Sequence, residues 1–173
     1  MQIENNRLIV RSLTKDDIDG IISIRNDEKV YEYEPSFLIE RQGSIEEAID
    51  KISNMDLFRD KQCILGVYEK DNPAQLVGIA EFYDYKASGM IVSIGYRFLS
   101  QYWHKGLGSS CVNALLYYLR NNTQVRIVTA HVLPINKGSS KCLEKNGFEY
   151  LITKKEDWGH GELEDTDVYV IDC

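Results

Sequence analysis

Basic residues are scarce in this sequence of 173 residues. It holds 20 lysines and arginines against 27 aspartates and glutamates, so its formal net charge is −7. Nucleic acids and anionic membranes are bound through clustered lysines and arginines, and this composition therefore argues against both as partners. An amine-bearing or otherwise cationic partner fits the charge better.

Metal-binding and membrane-spanning patterns are also missing. The four cysteines form no CxxC pair and the three histidines form no HxxxH or HExxH pattern, so we expect reduced, mostly buried thiols and no metal. No stretch approaches the ~18 uninterrupted apolar residues of a membrane span, and the first residues do not resemble a secretion signal. These absences predict a cytoplasmic protein.

The sequence does contain enough apolar residues for a core. Hydrophobic residues make up 43% of it, and no linker or low-complexity tract divides the chain. A chain of this length buries roughly two thirds of its unfolded surface without disulfides or metals. We expect a single domain over residues 1–173, either as a monomer or as a homodimer.

Periodic apolar positions predict the element order β-α-α-β-β-β-α-β-α-β-β. Capping signals at Thr14 and Ser44 begin the first two helices, and residues 70–73 are typical of a turn between strands. A long helix is predicted from Gly106 to Arg120, and a last helix from Asn136 to Asn146. The order indicates a mixed α/β sheet flanked by helices.

Residues 96–109 combine a strand end, a glycine turn and a helix start. Unpaired N–H groups and the positive end of the helix make such a junction suitable for an anion. The turn Gly106-Leu107-Gly108 matches neither the P-loop nor the GxGxxG pattern, and alone it is typical of a plain tight turn. A second segment, Asn136-x-x-Ser139 followed by Gly147-Phe148, belongs to the next strand–helix unit.

Together these segments resemble the GNAT superfamily of acetyl-CoA-dependent N-acetyltransferases, most of all the branch that acetylates ribosomal-protein N-termini. Trp103-x-Lys105-Gly106-x-Gly108 is similar to the family's diphosphate loop, and the second segment is similar to its second motif. The resemblance covers essentially the whole chain. It implies about seven mostly antiparallel strands, splayed between the fourth and fifth strands and flanked by about four helices.

The resemblance also implies acetyl-CoA as cosubstrate, without a metal. The pantetheine arm would lie in the gap of the splayed sheet, where an N–H near Tyr96 or Arg97 would polarise the thioester carbonyl. Backbone N–H groups of the glycine loop would hold the diphosphate. The predicted cofactor-binding residues are Tyr96, Arg97, Phe98, Trp103, His104, Lys105, Gly106, Leu107, Gly108, Ser109 and Asn136.

Two positions depart from the family's common acid–base pair of a carboxylate and a tyrosine. Ser93 stands where this branch often has Glu, and Leu143 stands where it often has Tyr. Ser139 occupies the position of a serine that is proposed in some members to protonate the departing thiolate, so it is the predicted acid. A serine that only packs in the first helical turn is the alternative.

Glu81 is the predicted general base. Strand alternation places it on one face with Val77, Ile79 and Tyr83, and a carboxylate in apolar company has a raised pKa. If water removes the amine proton instead, Glu81 only binds substrate.

The predicted acceptor-binding residues are Glu32, Glu34 and Tyr83, because an acidic and aromatic rim favours a cationic amine. We expect a primary amine to attack acetyl-CoA directly in a ternary complex, with a protein N-terminus as the first candidate. A polyamine or an aminoglycoside is the alternative acceptor. The residues Ser93 and Leu143 also leave open a catalytically weak acetyl-CoA-binding module.

Overall fold

One mixed β-sheet organises the chain, which a computed structural model describes over residues 1–33, 44–159 and 161–173. The strands are β1 (Gln2–Glu4), β2 (Leu8–Ser12), β3 (Cys63–Glu69), β4 (Asn72–Lys86), β5 (Ile91–Phe98), β6 (Ile127–Val132), β7 (Glu149–Asp157) and β8 (Leu163–Asp172). Their order in the sheet is β1-β2-β3-β4-β5-β6-β8-β7. The pair β5–β6 is parallel, and the other pairs are antiparallel.

Helices pack on both faces of this sheet. The described helices are α1 (Ile18–Arg25), α2 (Glu28–Tyr31), α3 (Ile45–Ile52), α4 (Leu57–Asp60), α5 (Leu107–Asn122) and α6 (Lys137–Lys145). Two begin at predicted caps: the Ser44 hydroxyl accepts the Glu47 N–H at 3.3 Å, and Asn136 Oδ1 accepts the Ser139 N–H at 3.0 Å. None of the described helices is long and apolar enough to cross a membrane.

Two apolar cores lie on opposite faces of the sheet. On one face, Ile49 of α3 packs in a core with Ile79 of β4. On the other face, Leu115 of α5 and Leu143 of α6 share a core with Phe82 of β4. Because side chains alternate along a strand, odd and even positions of this part of β4 reach different faces.

The sheet opens between β5 and β6. Their last residue pair joins Ile94 to Ala130, although β5 continues to Phe98 and β6 continues to Val132. The two strands therefore diverge at their carboxyl ends. This opening is the gap that the family resemblance implied.

The structure corrects several details of the prediction. Eight strands are described, not about seven, because Gln2–Glu4 pairs with β2 as an additional edge strand. The opening accordingly falls between the fifth and sixth strands rather than the fourth and fifth. The six described α-helices exceed the expected four or so because two of them, α2 and α4, are short additional helices of four residues each. The turn predicted at residues 70–73 is shorter, since β4 already begins at Asn72.

Candidate active site

A cavity of about 1060 Å³ occupies the gap between β5 and β6. Its walls include the divergent strand ends, the loop before α5 and one face of α6. Such a volume is slightly above the usual range for small-molecule sites, about 300–1,000 Å³. Lining residues come from both faces of the sheet, so a ligand can extend from one face to the other.

The start of α5 forms one wall of this cavity. The chain enters the helix through left-handed residues, with φ of +61° at His104 and +78° at Gly106. Glycine adopts that conformation without a Cβ clash. Among the residues that the structure describes, no side chain caps the N-terminus of α5, and the first N–H groups of a helix have no carbonyl partner within it. The wall is therefore suited to an anion.

Contacts from elsewhere in the chain hold the glycine loop. Arg7, in the turn between β1 and β2, donates from Nη2 to the Lys105 carbonyl at 3.0 Å. Trp103 donates from Nε1 to the Phe98 carbonyl at 2.8 Å. The indole also meets the Tyr33 ring edge-on, with 5.6 Å between the ring centroids. The loop is thus tied to β5 and to the amino-terminal hairpin.

Gly108 serves the packing of α5 against α6. A Cβ at this position would lie 3.3 Å from Cε2 of Tyr96 and 3.3 Å from Sγ of Cys142. Both distances are tighter than most Cβ contacts in proteins. A side chain at position 108 would therefore push these neighbours apart, in addition to any effect on an approaching phosphate.

Three lysines line the cavity beside the start of α5. Lys137, Lys141 and Lys145 recur every four residues along α6 and therefore lie on one face of that helix. They form a cationic stripe in a chain whose net charge is −7. We call this stripe, together with the N-terminus of α5, the basic side of the cavity.

Ser139 lies in the first turn of α6 and lines the cavity. Its Oγ is 2.9 Å from the hydroxyl of Tyr96, which reaches it from β5. Burial raises the pKa of Tyr96, so the phenol stays protonated and can donate to the serine oxygen. The serine hydroxyl thus has a hydrogen-bond partner behind it and the cavity beside it.

Glu81 lines the cavity from β4, the strand next to β5. It is paired in register with Gly95 of β5, and a Cβ on Gly95 would lie only 2.6 Å from Glu81 Oε1. The carboxylate therefore occupies space that any other residue at position 95 would fill. Burial raises the pKa of Glu81 to about 7, with the charge of Arg97 opposing the rise and that of Asp84 adding to it.

The face on which Glu81 lies differs from the prediction at one residue. Register between β3 and β4 passes from Gly78 to Leu76 and skips Val77. This bulge places Val77 in the core that contains α5, whereas Ile79 lies in the opposite core. The expectation that Val77 shares a face with Glu81 is therefore wrong, because simple alternation does not hold across a bulge.

Carboxylates line the part of the cavity around Glu81. These residues, which we call the acidic side, are Glu81, Asp84, Glu156 and Asp157. His131 lies among them, with Nδ1 2.8 Å from Oε2 of Glu156. Its ring is edge-on to that of Tyr83, with 6.1 Å between the centroids. The buried guanidinium of Arg97 also lies near Glu81, but the four carboxylates outnumber it, so the cavity carries opposite charge on its two sides.

A family model for the acetyltransferase (GNAT) domain matches residues 7–149 of this chain. The chain belongs to the GNAT acetyltransferase family. The matched region contains β5, β6, α5 and α6, which together enclose the gap. The protein is accordingly an acyltransferase with GNAT N-acetyltransferase activity.

Named relatives agree with this assignment. The uncharacterized N-acetyltransferase YoaA of Bacillus subtilis (strain 168) is 26% identical over 171 residues, covering 98% of this chain and 95% of YoaA. RimL, a ribosomal L7/L12 alpha-N-protein acetyltransferase solved with coenzyme A, has a TM-score of 0.79 at 15% identity, covering 99% of this chain and 98% of RimL. Spermidine N-acetyltransferase from Vibrio cholerae, solved with CoA and spermine, has a TM-score of 0.76 at 18% identity, with 97% and 96% covered. The two structural likenesses show a shared fold.

Most of the predicted cofactor-binding residues of this GNAT enzyme line the cavity. Lys105 does not line it, and its carbonyl instead accepts from Arg7. Asn136 lines the cavity while its Oδ1 caps α6. Arg97 also lines it, but the residue is only 6% exposed and its guanidinium carbon lies 5.8 Å from the centroid of the Tyr31 ring.

Some of the predicted catalytic and acceptor residues line the cavity, and others do not. Glu81, Ser139 and Tyr83 line the cavity. Glu32 is exposed and does not line it, whereas Glu34 lies outside the described residues.

Sequence reasoning overlooked two groups in the site of this enzyme. His131 alternates with the buried residues Ala130 and Val132, a pattern that puts a polar side chain on the other face of β6. The lysine stripe was visible as a four-residue repeat in an otherwise acidic sequence. Neither signal is specific, because a polar residue between buried ones is also typical of a solvated strand face, and lysines at four-residue spacing are typical of an exposed helix face.

The cysteines offer no nucleophile to the GNAT site. Burial raises the pKa of Cys63 to about 11 and that of Cys111 to about 12. Burial also raises the pKa of Cys142, which lines the cavity, so its thiol stays protonated at neutral pH. Within the described ranges, no group of three or more His, Cys, Asp or Glu side chains could hold a metal ion.

Proposed function

We propose that this enzyme transfers the acetyl group of acetyl-CoA to a primary amine by direct attack in a ternary complex. The division of charge across one cavity carries this proposal. An anionic cofactor is attracted to the basic side, and an amine that is cationic at neutral pH is attracted to the acidic side. The two ligands would meet near Gly95, where the sheet opens.

The basic side fits the phosphates of acetyl-CoA. The uncapped start of α5 supplies N–H groups and a positive dipole for the diphosphate. Lys137, Lys141 and Lys145 add positive charge for the remaining phosphate of the nucleotide. Acetyl-CoA therefore matches this wall in both charge and hydrogen-bonding groups.

The backbone of β5 fits the pantetheine arm. The Leu99 N–H bonds to the Val77 carbonyl at 3.1 Å, on the β4 side of the strand. Because successive residues point to alternate edges, the N–H groups of Phe98 and Tyr96 are directed toward the gap. They would pair with the amides of the arm. Of the N–H groups of Tyr96 and Arg97, that of Tyr96 is better placed to polarise the thioester carbonyl, because it is directed toward the gap.

Acetyl-CoA supplies an acetyl group activated as a thioester. In the overall transfer the amine nitrogen bonds to the acetyl carbon, the carbon–sulfur bond breaks, the nitrogen loses protons and the sulfur gains one. Glu81 would accept a proton from the nitrogen, since a carboxylate with a pKa of about 7 is a competent base near neutral pH. Ser139 would donate to the sulfur, with Tyr96 behind it.

A protein N-terminus is our first candidate for the acceptor, and a small polyamine is the second. RimL and the Vibrio cholerae spermidine enzyme share this fold and, by their names, act on one acceptor of each kind. The acidic side suits both acceptors, because both are cationic at neutral pH.

Amine-dependent release of CoA tests the proposal. The wild-type enzyme would be assayed with peptides that begin with Ser or Ala and with spermidine. We expect Glu81→Gln to lower kcat/KM about 100-fold and Ser139→Ala to lower kcat about tenfold. Glu149→Gln, an exposed position on β7 outside the cavity, is the carboxylate control and should change neither parameter.

Other outcomes distinguish the alternatives. Unchanged rates in both variants would contradict the roles of Glu81 and Ser139. Binding of acetyl-CoA without CoA release for any amine would favour the catalytically weak binding module.

A further inference from the structure

His131 occupies the point on the acidic side where the sheet opens. The last β5–β6 pair joins Ile94 to Ala130, so His131 is the first residue of β6 beyond that pairing. Glu81 is paired with Gly95, the corresponding first residue of β5. Gly95 presents no side chain between them. Two titratable groups therefore flank the place where the amine and the acetyl group would meet.

Glu156 fixes the orientation of this imidazole. Its Oε2 lies 2.8 Å from Nδ1 of His131, while its Oε1 accepts from Nζ of Lys154 at 2.7 Å. An ionised carboxylate can only accept hydrogen bonds, so Nδ1 carries the ring hydrogen of the neutral imidazole. Nε2 then keeps a lone pair for a ligand in the cavity.

The surroundings of His131 favour the neutral ring. Glu156 and Lys154 from β7, and Tyr83 and Asp84 from β4, face it. Burial lowers the pKa of His131 and Lys154 lowers it further, while Glu156 and Asp84 oppose this change. The side chain is 16% exposed, so the ring is sheltered and still has a path to solvent.

We propose that His131, oriented by Glu156, removes the first proton from the ammonium group of the acceptor. This inference rests on the proposed function and names a catalytic residue for it. A primary ammonium must lose two protons to become an amide nitrogen, one before it attacks and one as the carbon–nitrogen bond forms. Glu81 would take only the second.

The first proton transfer needs only the ammonium group, His131 and solvent. One N–H bond of the ammonium breaks, its electron pair stays on the amine nitrogen, and a new N–H bond forms at Nε2 of His131. The resulting imidazolium lies beside the Glu156 carboxylate, which stabilises its charge. The proton then passes from the ring to solvent.

The tautomer of His131 can be tested without any acceptor. Long-range ¹H–¹⁵N spectra of the labelled protein, assigned with His131→Gln, should show neutral His131 protonated at Nδ1. Glu156→Gln should change the tautomer balance, whereas Glu149→Gln on the same strand should not. A wild-type ring protonated at Nε2, or a ring unaffected by Glu156→Gln, would overturn the proposal.

Kinetics separate a proton-transfer role from a structural one. His131→Asn keeps an amide N–H near the position of Nδ1 but has no group at Nε2, so the contact with Glu156 can persist while the base is lost. We expect kcat/KM for the best primary amine of the panel to fall about 100-fold in this variant. In His131→Asn, the fall in kcat/KM at low pH that comes from protonation of His131 should disappear. In Glu81→Gln, the fall in kcat/KM near pH 7 should disappear instead.

Binding of acetyl-CoA distinguishes this proposal from the proposed function. Thermal stabilisation by acetyl-CoA should be the same in His131→Asn as in the wild type. If the wild type acetylates an amine and His131→Asn retains full activity, the role of His131 is overturned while the proposed function stands. A wild-type protein that acetylates no amine would overturn the proposed function, and the role of His131 with it.

Discussion

The carboxyl group of Glu81 has room beside β5 only because its partner Gly95 has no side chain. The carboxylate occupies the space that a Cβ on Gly95 would fill, and burial leaves it poorly solvated by water. Burial raises the pKa of Glu81 more than the positive charge of Arg97 lowers it, so the pKa is about 7. A charge that the folded protein disfavours must weaken folding once it forms.

The stability of the folded protein should therefore depend on this carboxyl group. Between its ordinary pKa of 4.5 and about 7, the native state holds a proton that the unfolded state has lost, so stability falls as pH rises through this window. Glu81→Gln removes that dependence and should be more stable than the wild type by about 1–3 kcal/mol at pH 8. Denaturant unfolding at pH 4, 6 and 8 measures the difference. An equal gap at all three values, or a gap of the same size in Glu149→Gln, would contradict the assignment.

Helix α6 combines packing and ligand binding in only nine residues. Leu143 is buried against the core shared with α5, while Ser139 and the lysine stripe line the cavity. The helical repeat of 3.6 residues separates these functions onto different faces. Substitution of the exposed lysines should therefore alter binding without unfolding the helix.

Neutralising the stripe should weaken cofactor binding in a salt-dependent way. We expect the triple variant Lys137→Gln, Lys141→Gln, Lys145→Gln to raise the Kd for CoA about tenfold at low ionic strength, with a smaller effect at ~1 M salt. The loss should be smaller for 3′-dephospho-CoA, which lacks one phosphate. Isothermal titration calorimetry gives these constants, with Lys51→Gln on α3 as the control. Equal losses for both ligands would exclude the 3′-phosphate as the partner of the stripe.

For the whole molecule, the arrangement of charge matters more than its total. A net charge of −7 alone argues against a polyanionic ligand, yet the fold gathers lysines and a helix N-terminus on one side of a single cavity. Local fields in a cleft can differ in sign from the net charge of a protein. An acidic protein can therefore bind an anionic cofactor.

Thermal unfolding tests cofactor binding by the whole protein. Ligand at about 100 times its Kd adds about 2.7 kcal/mol, so acetyl-CoA, CoA and desulfo-CoA should each raise Tm by several degrees. Gly106→Glu places a carboxylate and a strained left-handed residue at the anion wall, and it should abolish the shift. Lys51→Gln is again the control. Absence of any shift at millimolar acetyl-CoA would contradict the proposed cofactor.

Much of the fold was predictable because its signals are local. The caps at Ser44 and Asn136 and the left-handed turn at Gly147 depend on residues only a few positions apart. The left-handed glycine at the start of α5, Gly106, was predictable for the same reason. The extra strand β1 was missed because three residues carry too little pattern to be recognised, and the bulge at Val77 was missed because alternation assumes an unbroken register.

The sequence by itself determined the order of the longer elements, the family resemblance and the identities of Glu81 and Ser139 as candidates. The tertiary structure alone decided which distant residues the side chains of the site contact. Tyr96 reaches Ser139 across 43 positions of the chain, and His131 reaches Glu156 across 25. Such pairs depend on strand order, on register and on where the sheet opens, and these are set by packing between distant segments, which local sequence patterns do not encode.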